Sequence, residues 1–136
     1  MLKDAVRRFA EDVVAPKVHD MDENEKMDPE IIKGLFEQGL MAIETSADLG
    51  GADGSFMAAI LVIEELAKVD ASVSVLCDVH NTLVNTVLRK YATKELQEKY
   101  MPKLSSDMVS YLPDKPLAKE APIADHMRTL TDHNVV

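Results

Sequence analysis

A chain of 136 residues is long enough for one domain with its own core and short for two. Hydrophobic residues make up 46%, which excludes wholesale disorder, while 4% aromatics and no Trp leave an aliphatic core that 8 Met fill in the adaptable manner of packed helices. The formal net charge of −9 excludes nonspecific nucleic-acid binding, and the single Cys77 excludes an intramolecular disulfide or a multi-thiolate metal site.

No apolar run approaches the roughly eighteen residues of a membrane-spanning helix, and no secretory signal is present. At the start, Leu2, Val6, Phe9 and Val13 recur at steps of three and four, the mark of an amphipathic helix. Lys3, Arg7 and Arg8 point toward a transit peptide, but Asp4, Glu11 and Asp12 argue against one, so the segment reads as structural. Pro16 kinks or ends this helix, and a charged, solvated helical stretch follows over 17–26. Asp28-Pro29-Glu30 combines a cap, a proline at the first helical position and a first-turn acid, and Gly39 ends the helix it starts.

Residues 40–43 are apolar and fit either a turn of helix or extended chain. After the glycine-rich stretch 49–54 the pattern predicts helices from about 55 to 69 and 71 to 90, with Asp70 capping the second. Glu64 and Lys68 have the spacing of a helical ion pair. In the longer helix Asp78, Asn81, Thr82, Asn85, Thr86 and Arg89 form a polar stripe. The opposite side, Val73, Leu76, Cys77, Leu83, Val84, Val87 and Leu88, is apolar apart from His80 and predicts interior packing. Thr93 caps a last short helix to Tyr100, with Pro102 beyond it, and past Ser105 three prolines interrupt any period.

None of these features forms a recognisable catalytic or metal centre. The loop Gly50-Gly51-Ala52-Asp53-Gly54 lacks the lysine and preceding strand of a phosphate cradle and reads as a tight turn between helices. His19, His80, His126 and His133 have no metal-binding spacing, and His80, on an apolar side, reads as a satisfied core imidazole. Cys77 reads as a small core hydrophobe. Glu64 and Glu65 diverge on a helix and belong to its flank rather than to an acid–base pair.

The pieces MDENEKM (21–27), GLFEQGLMAIE (34–44), LGG (49–51), LVIEELAKVDASV (61–73) and NTLVNT (81–86) together resemble the amino-terminal helical domain of the acyl-CoA dehydrogenases, most of all the short/branched-chain type. The similarity covers about residues 2–109. It implies an all-α domain of about five or six helices over 1–109, a divergent tail over 110–136, and an origin in the mitochondrial matrix. Enzymes of this family use FAD to remove hydrogens from the α and β carbons of an acyl-CoA, with the flavin and the glutamate base supplied by a middle β-rich domain and a carboxy-terminal bundle. The flavin-contacting strand expected near Ser110 is replaced by SYLPDKPLAKEAP, so the resemblance implies a truncated enzyme. Alone it would have no catalytic residue, no cofactor of its own, and acyl-CoA binding only once the missing domains are supplied. Ala92 stands where glycine is common, at a cost of about 1 kcal/mol if the backbone there is left-handed.

By position, the resemblance puts Val75, Leu76 and Val79 nearest the acyl tail, although all three also suit a plain core. It further implies that Met57, Leu61, Val75 and Val79 expose an apolar face where the other domains would pack. A different function fits the same residues: a noncatalytic interaction subunit that docks to itself or another protein through this face or through the surface around Leu83 and Val87.

Overall fold

The computed structural model describes residues 2–107, and all regular structure among them is helical. α1 (Leu2–Phe9) runs without a break through wide π-helical turns (Ala10–Val14) and a 3-10 turn (Ala15–Lys17) into α2 (Val18–Glu23). Pro16 does not end the helical run. It sits at the start of the 3-10 turn, where its missing N–H is not needed.

The wide turns change which residues reach the core. Val6, Ala10 and Val14 recur at steps of four and all are buried. In an α-helix a step of four overshoots one full turn by about 40°, and the wider turns absorb that surplus. One expected core position is displaced as a result: Val13 is half-buried while Val14 takes the interior place; Leu2, at the start of α1, is also exposed.

α3 (Pro29–Glu37) starts as its sequence predicts, with the Asp28 carboxylate accepting from the Glu30 N–H at 2.7 Å. Lys17 pairs with Asp28 at 3.0 Å and so ties the end of the first helical run to the start of α3. Gly39, at φ +69°, turns the chain out of this helix. Residues 40–45 are then neither helix nor strand, yet Leu40, Met41, Ala42 and Ile43 are all buried. Three carbonyls of this segment are taken by the glycine loop, which folds back on it: Ala52 N–H donates to Ala42 at 2.9 Å, Asp53 to Thr45 at 2.9 Å and Gly54 to Ile43 at 2.7 Å. Loop amides consumed in this way build a turn, not a phosphate cradle.

α4 (Phe56–Ala67) is capped by Ser55 and α5 (Ala71–Asp78) by Asp70, whose carboxylate accepts from Val73 N–H at 2.7 Å. α5 continues through a second set of π-helical turns (Val79–Asn85) into α6 (Thr86–Tyr91). Ala92 is extended (φ −78°, ψ 150°), so alanine carries no left-handed penalty there. Thr93 caps α7 (Lys94–Ser106), which passes Pro102 instead of stopping at Tyr100. Met101 and Leu104 are buried on either side of Pro102. Burying each contributes about 1.5–3 kcal/mol, enough together to offset the roughly 3 kcal/mol that an interior proline costs.

The main core joins α1, α3, residues 40–43, α4 and α5; a smaller one, Leu88 with Met101 and Leu104, joins α6 to α7. The boundary expected at 109 and the tail 110–136 lie outside the described residues.

Candidate functional site

The run formed by α5, the wide turns and α6 has two faces, and each differs from the pattern read in the sequence. The polar stripe does not face water. Asn81 and Asn85 are buried and serve the backbone of the irregular segment beside them. Asn81 Nδ2 donates to Leu40 O at 2.8 Å and to Cys77 O at 2.9 Å, while its Oδ1 accepts from Ile43 N–H at 3.0 Å. One turn on, Asn85 Nδ2 donates to Met41 O at 2.8 Å, and beyond it Arg89 Nη1 donates to Glu44 O at 2.8 Å with Nη2 on the Glu44 carboxylate at 3.1 Å. A non-repetitive segment in a core has no ladder of its own, so side chains must satisfy it.

The apolar side, expected to be interior, is divided. Val73, Cys77 and Leu88 are buried, but Leu83 is 59% exposed and Val87 is at the surface. Val75, Val79, Leu83 and Val87 recur at steps of four and form an outward stripe; Val75 is 58% exposed and Val79 half-buried. Leu76 turns inward and packs on the main core. Of the three residues assigned to the acyl tail, Val75 and Val79 therefore share the outer stripe and Leu76 supports it from below. On α4, Phe56, Met57 (63%) and Ile60 are also exposed, and Leu61 is half-buried.

The perturbed titratable groups are engaged inside the protein. Glu65, read as a helix flank, has a fully buried side chain that meets Lys68 at 2.6 Å, Arg7 at 3.0 Å and Lys3 at 3.3 Å. Hydrogen bonds from Lys68 and then Arg7 hold its carboxyl down to about 2, so it stays ionised and ties α1 to α4. Glu64 also pairs with Lys68, at 3.4 Å, as its spacing predicts. His80 is buried edge-on to Phe36, and its Nε2–H donates to Leu104 O at 2.8 Å; burial lowers its pKa and keeps it neutral. Burial pushes the Cys77 thiol up to about 12. Among the described residues no group of His, Cys, Asp and Glu could hold a metal ion, and no helix is long and apolar enough to cross a membrane. What this arrangement offers to a ligand is an apolar wall rather than a reactive group.

Two features escaped the sequence pattern. The amides at 81 and 85 and the guanidinium at 89 matched a solvated stripe, and only the backbone groups of Leu40, Met41, Ile43 and Glu44 that they satisfy distinguish them. Glu65 had a clearer signal, since it falls between Val62 and Leu66 on the core side of α4 with cations at Lys3, Arg7 and Lys68 to receive it.

Comparison with known proteins agrees with this architecture. Residues 1–107 match the family described as "Acyl-CoA dehydrogenase, N-terminal domain". The short/branched chain specific acyl-CoA dehydrogenase, mitochondrial, of Rattus norvegicus is 51% identical over 107 residues, which are 79% of this chain and 25% of that protein. A probable short/branched chain specific acyl-CoA dehydrogenase of Dictyostelium discoideum is 43% identical over 109 residues, 80% of this chain and 26% of that one. A solved chain from a study of the electron transferring flavoprotein of Acidaminococcus fermentans and flavin-based electron bifurcation superposes with a TM-score of 0.74 at 29% identity, covering 78% of this chain and 28% of that one. The chain thus spans about a quarter of the length of the curated relatives it matches. Its all-helical fold and its match from residue 1 to 107 show that it belongs to the acyl-CoA dehydrogenase N-terminal domain family, with relatives of the short/branched-chain type.

Proposed function

We propose that residues 1–109 act as the helical module that walls the acyl end of an acyl-CoA pocket in a short/branched-chain acyl-CoA dehydrogenase, with Val75 and Val79 against the acyl tail and Leu76 bracing them. The observation that carries this is the outward apolar stripe through Val75 and Val79 on a helix whose other face is sealed by buried polar bonds. Such a wall contributes shape and water exclusion, and a pocket for an acyl chain needs little else on that side.

One open cleft among the described residues, of about 280 Å³, is lined by Met21, Asp22, Glu25, Lys26, Met27 and Asp70 among others, and its three carboxylates against one lysine do not suit a flavin's pyrophosphate. In this proposal FAD and the catalytic base come with other domains, and the chain alone neither holds the cofactor nor turns over substrate. The mitochondrial names of the mammalian relatives support a matrix location. Where no other domain covers the stripe, the same face drives self-association or docking to another protein, which sedimentation at rising concentration detects.

The test is to exchange residues 1–107 for the corresponding part of the rat relative. The chimera is expected to retain flavin and to oxidise a short branched acyl-CoA, and Val79→Phe within it to raise KM by about tenfold, the scale of one misfitted group in an apolar pocket. A folded, flavin-loaded chimera with no turnover would sink the proposal.

A further inference from the structure

The wide turns at 79–85 lie where the helix meets the irregular segment, and Asn81 sits within them. Its amide joins Leu40 O and Ile43 N–H across the interface while also taking Cys77 O, a carbonyl of its own helix. Two neighbours reinforce the departure from α geometry. Thr82 Oγ1 donates to Asp78 O at 2.8 Å, and Thr86 Oγ1 donates to Asn81 O, five residues back, at 3.2 Å. Side chains that occupy helix carbonyls in this way loosen the ordinary four-residue ladder.

The consequence is seen on the opposite face. Along an uninterrupted α-helix a step of four drifts by about 40°, so Val75 and Val87, three steps apart, would diverge by about 120°. Here Val75, Leu83 and Val87 are all exposed, while Val73, Cys77, Asn81 and Asn85, also at steps of four, are all buried. Both stripes stay straight only because the wide turns take up the drift.

We infer that Asn81 is a positioning residue for the apolar wall: by clamping residues 40 and 43 it holds the wide turns and keeps Val75, Val79, Leu83 and Val87 in one line. That the line faces an acyl chain rests on the function proposed above; that Asn81 aligns it does not. A ligand longer than one helical turn needs such an aligned surface, so the residue sets how far along the helix an apolar chain can be followed.

Thiol reporters read the alignment in the chain itself. Leu83→Cys marks the exposed stripe and Leu88→Cys the buried side. Each is made with and without Asn81→Leu, and a chain carrying Asn81→Leu alone controls for the native Cys77, which is buried and whose thiol is pushed up to about 12. With Asn81 replaced, maleimide labelling at the Leu83→Cys site is expected to slow by about tenfold and at the Leu88→Cys site to quicken by about tenfold, as the helix rotates one site under cover and the other out of it. General loosening would quicken both. An unchanged ratio of the two rates in a cooperatively folded Asn81→Leu chain would overturn the inference. Should that variant not fold, Asn81→Asp, which keeps the size and the acceptor to Ile43 N–H but loses the Nδ2 donors to Leu40 O and Cys77 O, decides it: a smaller shift in the same direction supports the role, and an unchanged ratio refutes it.

Discussion

Gly51→Ala tests the packing of the glycine loop against residues 42–45, the base on which the long helix is clamped. A Cβ at Gly51 would stand 2.1 Å from Thr45 O and 2.4 Å from Thr45 Cβ. These are backbone and near-backbone atoms of a buried residue, so no rotamer change relieves the overlap. The loop must withdraw by about 1 Å, which breaks the close range on which dispersion depends. Withdrawal stretches the bonds from Ala52, Asp53 and Gly54 to Ala42, Thr45 and Ile43. At roughly 1 kcal/mol for each bond, with some added cost for carbonyls left buried, the loss is about 3–4 kcal/mol. For a domain of this size that lowers Tm by about 15 °C or more. Gly39→Ala is the matched control: its Cβ meets nothing within 4 Å, and only its φ of +69° is unfavourable, so it costs about 1 kcal/mol. Both are read by thermal melts followed by circular dichroism. Equal, small losses for the two variants would refute the steric account.

The remaining predictions concern charge and cofactor. Because the folded Glu65 carboxyl sits near 2 against an ordinary 4.5, its contribution is complete above the ordinary value and is lost as pH falls toward 2. Glu65→Gln should therefore be less stable than the parent in urea melts at pH 7 and approach it near pH 3; a gap independent of pH would contradict the ion-pair origin. His80 has a lowered folded pKa, so the unfolded chain takes up a proton first and stability declines as pH drops below the ordinary 6.5. In NMR the His80 ring should stay neutral through that range, and titration at or above 6.5 would show that the imidazole is not sealed. Mixed with FAD and passed over a sizing column, the chain alone should emerge colourless; a stoichiometric yellow protein peak would contradict the division of labour proposed here.

Much of the fold was legible because caps and turns are local. Asp28, Ser55, Asp70 and Thr93 each begin a helix with a side chain on a free N–H, and Gly39 ends one with a positive φ. What escaped depends on long-range geometry. Wide turns leave no periodic mark, so Val14 displaced Val13 from the core and Leu83 and Val87 moved to the surface. The buried roles of Asn81 and Asn85 require knowing that residues 40–43, distant in sequence, lie alongside without secondary structure of their own. α7 outran its proline because Met101 and Leu104 found Leu88, a contact that local propensity cannot see. For the candidate site, resemblance supplied Val75, Leu76 and Val79, and the fold separates them into an outward pair and an inward brace.

The central proposal is that this module lines the acyl end of a substrate pocket, and photocrosslinking addresses it most directly. The chimera carrying residues 1–107 in the rat relative is loaded with an acyl-CoA whose acyl terminus bears a photoreactive group, then irradiated and digested. Crosslinks are expected on the peptide that contains Val75 and Val79, and excess unlabelled substrate should suppress them. A chimera that turns over the probe yet crosslinks only outside α4, α5 and the wide turns would contradict the account.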